Sequence, residues 1–196
     1  MYEYSFYCNS SIHINKYTRL TRINRKQRHD IIEQVLLIKT GKQMKASASI
    51  LIKSPLADTF AAFTDVPNRA RYLPIITHLK VHSLLVEGKG VEWHEERKED
   101  RITKKGSSVI TGFNKPRSFV ITTHSSGIIF KTRYNFQYAG HNATKVVVSI
   151  GGQPKGILSR FMNKFLSQNS LYMSQQLQKD LDSFKIVIER NGTEIK

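Results

Sequence analysis

The sequence predicts an α+β protein, with an antiparallel sheet of about six to seven strands and one long C-terminal helix lying across it. Three observations carry this. Between about Pro154 and Ile188, the apolar residues Leu158, Met162, Phe165, Met173, Leu177, Leu181, Phe184 and Ile188 recur at steps of three or four, with Asn169 in the one gap. That spacing places them on one face of a helix. Ahead of it, strand-like runs follow one another with short turn signals between them, which makes neighbours antiparallel. Finally, the first strand is followed by two short helices rather than by strand–helix alternation, which argues against a parallel doubly wound sheet.

Taken in order, residues 1–43 differ from the rest. They carry Tyr2, Tyr4, Phe6 and Tyr7, then a basic stretch from Lys16 to Arg28, with eight Lys and Arg against three Asp and Glu overall. A short helix is expected from Asp30 through Leu37. This segment reads as a basic N-terminal extension, with three explanations: an upstream reading-frame extension before a start at Met44, a basic arm for a membrane or nucleic acid, or a transit peptide. Glu3, Asp30 and Glu33 weaken the last. The folded domain is expected over 44–191, with a tail at 192–196.

Residues 45–53 alternate well enough for a strand. Ser54-Pro55 reads as a helix N-cap with proline at the first helical position, opening a helix over 56–64 that buries Leu56, Phe60 and Phe63. Asp65 is the expected cap of a second short helix over 66–72, stopped by Pro74. Strands follow at 75–85, 90–99, 102–113, 118–124, 128–138 and 143–150. Glu87-Gly88, Asn114-Lys115-Pro116, Ser125-Ser126-Gly127 and Gly140-His141-Asn142 mark the turns. Alternation puts Phe130, Thr132, Tyr134, Phe136 and Tyr138 on one sheet face, and Lys131, Arg133, Asn135 and Gln137 on the other. Val146, Val148 and Ile150 oppose Lys145. One face is wet and one covered, as for an antiparallel sheet under a helix. Gly151-Gly152 reads as the bend from sheet to helix, and Asn191-Gly192 as the helix stop. The final helix would be roughly 50 Å long.

At 196 residues and 39% hydrophobic, the chain is long and apolar enough for a sizeable core. No stretch of about 18 apolar residues is present to suggest a membrane-spanning helix. Cys8 is the only cysteine, so no internal disulfide forms, and a cytoplasmic location is expected. The net charge of +16 invites an anionic partner. The basic residues are spread along the chain, with no zinc-finger spacing or RNA-binding signature, so nucleic acid is not expected and peripheral contact with an anionic membrane is the alternative.

The element order, with particular stretches, resembles the START-like or SRPBCC superfamily. Ser-Pro-Leu-Ala-Asp-Thr-Phe at 54–60 is similar to the family's first-helix entry, and 65–74, ending Tyr72-Leu73-Pro74, to its second helix. Gly88-Lys89-Gly90-Val91-Glu92-Trp93 resembles the glycine-then-aromatic strand of the polyketide cyclase/dehydrase branch. Phe113-Asn114-Lys115-Pro116-Arg117 resembles its proline-containing turn. The resemblance spans about 45–190. It implies a helix-grip fold, in which a curved sheet wraps the long helix and leaves a ligand cavity between them.

Candidate ligand-binding residues on that basis are Phe63 and Tyr72 from the short helices, Trp93 and Glu95 from one strand, and Phe130, Tyr134 and Phe136 from another. Met162, Phe165, Asn169 and Met173 come from the long helix. Aromatics and methionines at these spacings also serve as plain core. Asn169 is the more specific signal, because an amide on a packed stripe needs a partner. Glu95 is the candidate acid or base, sharing a face with Trp93; its other reading is a rim residue paired with Arg97. The seven histidines are scattered. His78 and His82, four apart on a strand, lie about 13 Å apart, too far to share an ion directly. There is no nucleophile elbow and no glycine-rich phosphate loop, so no metal or cofactor is expected. The leading functional expectation is binding of a hydrophobic small molecule or lipid. A cyclase/dehydratase-type enzyme using the same cavity, and a regulatory or interaction module acting through its basic surface, are the alternatives.

Overall fold

The computed structural model describes residues 44–99, 101–154 and 170–193. The chain runs through β1 (Met44–Ile52), α1 (Leu56–Thr64), α2 (Arg69–Tyr72), β2 (Ile76–Val81), β3 (Glu92–Glu99), β4 (Ile102–Asn114), β5 (Ser118–Ser125), β6 (Ile128–Tyr138), β7 (Thr144–Pro154) and α3 (Ser170–Thr193). The strands form one antiparallel sheet in the order β1-β7-β6-β5-β4-β3-β2. β2 to β7 form a meander, and β1 returns to pair with β7, Met44 opposite Gly152 and Ile52 opposite Thr144.

Alternation sorts the two faces as expected. On β6, Thr132, Tyr134 and Phe136 are buried while Lys131, Arg133 and Gln137 are exposed. On β7, Val146, Val148 and Ile150 are buried and Lys145 is exposed. α3 presents Leu177, Leu181, Phe184 and Ile188 to the core at steps of four, three and four, with Met173 half-buried. It lies along β1 and reaches β3 on the far side, so the curved sheet grips the helix from both flanks. Phe184 stacks on Phe63 at a centroid distance of 4.0 Å and on Tyr72 at 5.1 Å. Phe60 meets Phe113, Phe119 and Phe136 edge-on, an arrangement favoured by the ring quadrupoles.

Several boundaries differ from expectation for identifiable reasons. β7 continues through Gly151 and Gly152 to Pro154, because the glycines pair with β1 on one side and β6 on the other. A ladder held from both sides outweighs the flexibility of glycine, so the pair is strand, not bend, and Pro154 ends a strand instead of opening a helix. α3 runs past Asn191-Gly192 to Thr193, with Asn191 Oδ1 accepting from Arg71 Nη2 at 3.2 Å. The first half of the expected long helix, residues 155–169, lies outside the described residues.

β2 ends at Val81 because Ser83 closes the ladder with its side chain. Its hydroxyl accepts from Glu92 N at 3.1 Å and donates to Leu85 O at 2.8 Å. α1 begins at Leu56 with Pro55 in the cap position and no side-chain cap bond. Ser54 is instead a tie to the sheet, its carbonyl accepting from Thr144 Oγ1 at 2.9 Å. α2 is shorter than expected, as the Asp65 carboxylate takes the Asn68 side-chain amide and folds 65–68 into a turn.

Candidate functional site

On β3, the residues that alternate inward with Trp93 are charged: Glu95, Arg97 and Glu99. Strand geometry gives them no choice of face, so burying them requires partners from the elements opposite. The structure supplies these. Glu95 Oε2 accepts from Trp93 Nε1 at 2.9 Å and lies 3.4 Å from Arg69 Nε on α2. Glu95 Oε1 lies 3.4 Å from Arg97 Nε. Arg97 Nη2 donates to Asp180 Oδ2 on α3 at 2.6 Å. The Arg69 side chain is 7% exposed and that of Glu95 11%.

Two guanidinium groups and two carboxylates thus balance within the core, flanked by Trp93 and Tyr134. Burial works against the Arg97 charge, but Asp180 and then Glu95 outweigh it and hold its pKa above the ordinary arginine value. Burial pushes the Tyr134 phenol up, so it stays protonated. The Nε atoms of Arg69 and Arg97 have no hydrogen-bond partner among the described residues; their attraction to Glu95 is Coulombic. Arg69 also lies over the Trp93 ring at 5.8 Å.

The structure brings the sequence-derived candidates together unevenly. Phe63, Tyr72, Trp93, Tyr134 and Phe136 are all buried in one block around Phe184. Phe130 and Met173 are half-buried at the opposite end of the concave face and pack together with Ile128. Met162, Phe165 and Asn169 fall outside the described residues. Glu95 is interior, with Arg97 beside it as the simpler reading expected, but it is not a rim residue, and both of its oxygens are engaged.

Arg69 and Asp180 were not legible as site residues. The available signal was the charged inward stripe on β3, which demands countercharges. Asp180 sits three residues from Leu177 and beside Leu181, on the flank of the buried helical stripe.

Along the inner face, side-chain size falls from one end to the other. Around Phe184 the sheet contributes Phe119, Tyr134 and Phe136. Toward the opposite end of that face, the register places the small residues Gly106, Ser108, Thr123, Thr132, Gly152 and Ala46 inward, interspersed with Ile121, Phe130 and Ile150. Ser108 and Thr123 hydroxyls bond each other at 2.8 Å. Elsewhere, an open groove of about 1260 Å³ separates α1 and α2 from the sheet-end turns, bordered by Tyr72, Val86, Lys115 and Ile188.

The convex face is basic. Lys45, Lys80, Lys98, Lys131, Arg133 and Lys145 all point outward and are exposed. His82 Nε2, just past β2, and His94 Nδ1 on β3 meet there at 2.6 Å, a cross-strand neighbour that spacing along one strand does not reveal. Among the described residues no group of three or more metal-ligating side chains converges, and no helix is long and apolar enough to cross a membrane.

No family model matches the sequence, and no curated protein matches it significantly. Solved structures do match the fold. The Zhui aromatase/cyclase from Streptomyces sp. R1128 superposes with a TM-score of 0.62 at 11% identity, over 76% of this chain and 95% of the other. A truncated norcoclaurine synthase from Thalictrum flavum gives 0.60 at 8% identity, over 75% and 94%. A START superfamily protein from Mycobacterium smegmatis gives 0.58 at 10% identity, over 75% and 99%. The chain therefore has the helix-grip fold of these structures, at 8–11% sequence identity.

Proposed function

We propose that this protein binds a hydrophobic small molecule or lipid between the concave face of the sheet and α3. The observation that carries the reading is the cluster of small inward residues at one end of that face. Protein interiors are normally filled to crystal-like density by interdigitating side chains. Large rings do this around Phe184, whereas beyond them small residues (Gly106, Ser108, Thr123, Thr132, Gly152 and Ala46) outnumber the inward Ile121 and Ile150, and Phe130 and Met173 stand half-buried beside that region. Short walls with half-buried apolar side chains suit an apolar guest, with the Ser108–Thr123 and Thr132 hydroxyls as polar anchors. The fold also occurs in an aromatase/cyclase and a norcoclaurine synthase, enzymes of small-molecule chemistry, which supports a small-molecule ligand. Glu95 serves here to balance Arg69 and Arg97, and a carboxylate engaged at both oxygens is a poor general base.

The test is a space-filling change. Thr123→Phe should weaken lipophile binding about tenfold, because the ring takes the guest's place, at a stability cost of about 1–3 kcal/mol from the lost Ser108 bond. Binding is read from the emission of Trp93, the only tryptophan, across fatty acids, quinones and polycyclic aromatics. A larger loss of stability would mean that the wall is already packed. That result, or a parent protein that responds to none of these compounds, overturns the reading.

A further inference from the structure

We infer that the loop between β2 and β3 is a membrane-docking tip that seats the sheet end on an anionic lipid surface. Leu84, Leu85 and Val86 are consecutive in the loop and are 103%, 54% and 65% exposed. Isolated surface aliphatics are ordinary, but three in succession on a projecting loop are not. The loop is held in shape. Ser83 Oγ bonds Leu85 O at 2.8 Å, Gly88 and Gly90 adopt positive φ of 99° and 96°, and Lys115 Nζ ties Glu87 to the neighbouring turn at 2.7 Å. The apolar side chains are thus presented by a braced loop.

The surroundings specify the occupant. Lys89 in the loop and Arg117 in the adjoining turn are exposed and have no ion-pair partner among the described residues. Tyr138, 71% exposed, ends β6 close by, where Phe136 N bonds Arg117 O at 2.8 Å. Exposed aliphatic side chains, these two cations and a tyrosine match the layers of a lipid interface: acyl chains, then headgroups. A protein partner fits less well. Three aliphatic side chains on a convex tip offer far less than the roughly 800 Å² per partner of a stable interface. Val86 also borders the open groove that leads to Tyr72 and Ile188, so docking would place the mouth of that groove at the lipid surface. The inference does not depend on the cavity reading.

The experiment is vesicle flotation of the full chain, with phosphatidylcholine alone and with about a third phosphatidylserine added. The parent protein should float with the anionic vesicles. Leu84→Asp with Leu85→Asp should weaken this at least tenfold without lowering the melting temperature, since both side chains are exposed. Lys89→Glu with Arg117→Glu should weaken binding to anionic vesicles alone. Ile186→Asp, a change at an exposed aliphatic on α3, should have no effect. A parent that does not float overturns the inference. So does binding that the tip variants retain, or concentration-dependent self-association abolished by Leu84→Asp. The Trp93 response to lipophiles in vesicle-free solution separates the two proposals: tip variants should keep it, and its absence from every form would count against the cavity alone.

Discussion

Arg97 on β3 and Asp180 on α3 meet at 2.6 Å beneath the helix, joining the gripping sheet to the element it grips. Breaking this pair leaves a charge in the core. Asp180→Ala should cost about 3 kcal/mol, the lower end of the range for buried pairs, because both partners keep some solvent contact. Combining Arg97→Met with Asp180→Leu should recover much of that loss. Urea denaturation of Asp180→Ala, and of Arg97→Met, Asp180→Leu and their combination, measures both. Equal losses that simply add would mean that the pair carries no coupling.

The aromatic block depends on Phe184, whose ring lies between those of Phe63 and Tyr72. Phe184→Ala should destabilise by about 3–5 kcal/mol through lost contacts and the cavity left behind. A loss under about 1 kcal/mol in chemical denaturation would show that the site collapses or is far looser than the ring distances indicate.

Glu99 gives a pH dependence. Burial raises its pKa, but bonds from Lys104 and from Tyr172 Oη, the latter at 2.8 Å, bring it below the ordinary 4.5. A lowered folded-state pKa contributes stability above the unfolded value, and this is lost as pH falls through the folded one. The parent should therefore exceed Glu99→Gln by about 1 kcal/mol near neutrality, and the gap should narrow as pH falls below the ordinary glutamate range. A gap independent of pH would exclude the carboxylate as its source.

Trp93 is 2% exposed and bonded through Nε1 to Glu95. Its emission should resist acrylamide quenching in the native state and become fully quenchable on unfolding. Glu95→Gln should shift that emission while leaving the cooperative melt in place. Free access of acrylamide to the native protein would contradict the burial of the indole.

The first described strand starts at Met44, and its partners lie in β7. A chain beginning at Met44 should therefore melt as cooperatively as the full one. A broad, non-cooperative melt would assign residues 1–43 a part in the core.

Strand faces and the helical stripe were legible in the sequence because each depends on a local period. Phe136 follows Tyr134 by two on β6, and Leu181 follows Leu177 by four on α3. Tertiary pairing decided what local reading missed. Gly151 and Gly152 look like a bend until β1 and β6 are seen to hold them from both sides. Ser83 looks like an ordinary strand residue until its hydroxyl is seen to replace the ladder. The charged cluster draws Arg69, Glu95 and Asp180 from three distant elements, so no window of sequence contains it. Only the inward-facing charges on β3 pointed to it.

The place of β1 at the sheet edge has a consequence for how the protein is made. β1 must wait for a partner about a hundred residues downstream, whereas each hairpin from β2 to β7 can close on the strand just before it. A ribosome would release β1 early and its mate among the last strands. Until then its hydrogen-bonding edge and its inward Ile50 and Ile52 have nothing of their own to rest on. Closures between distant segments are slow, and an unpaired edge invites foreign strands. During synthesis, the vulnerable part of this protein is therefore the segment that emerges before its partner exists.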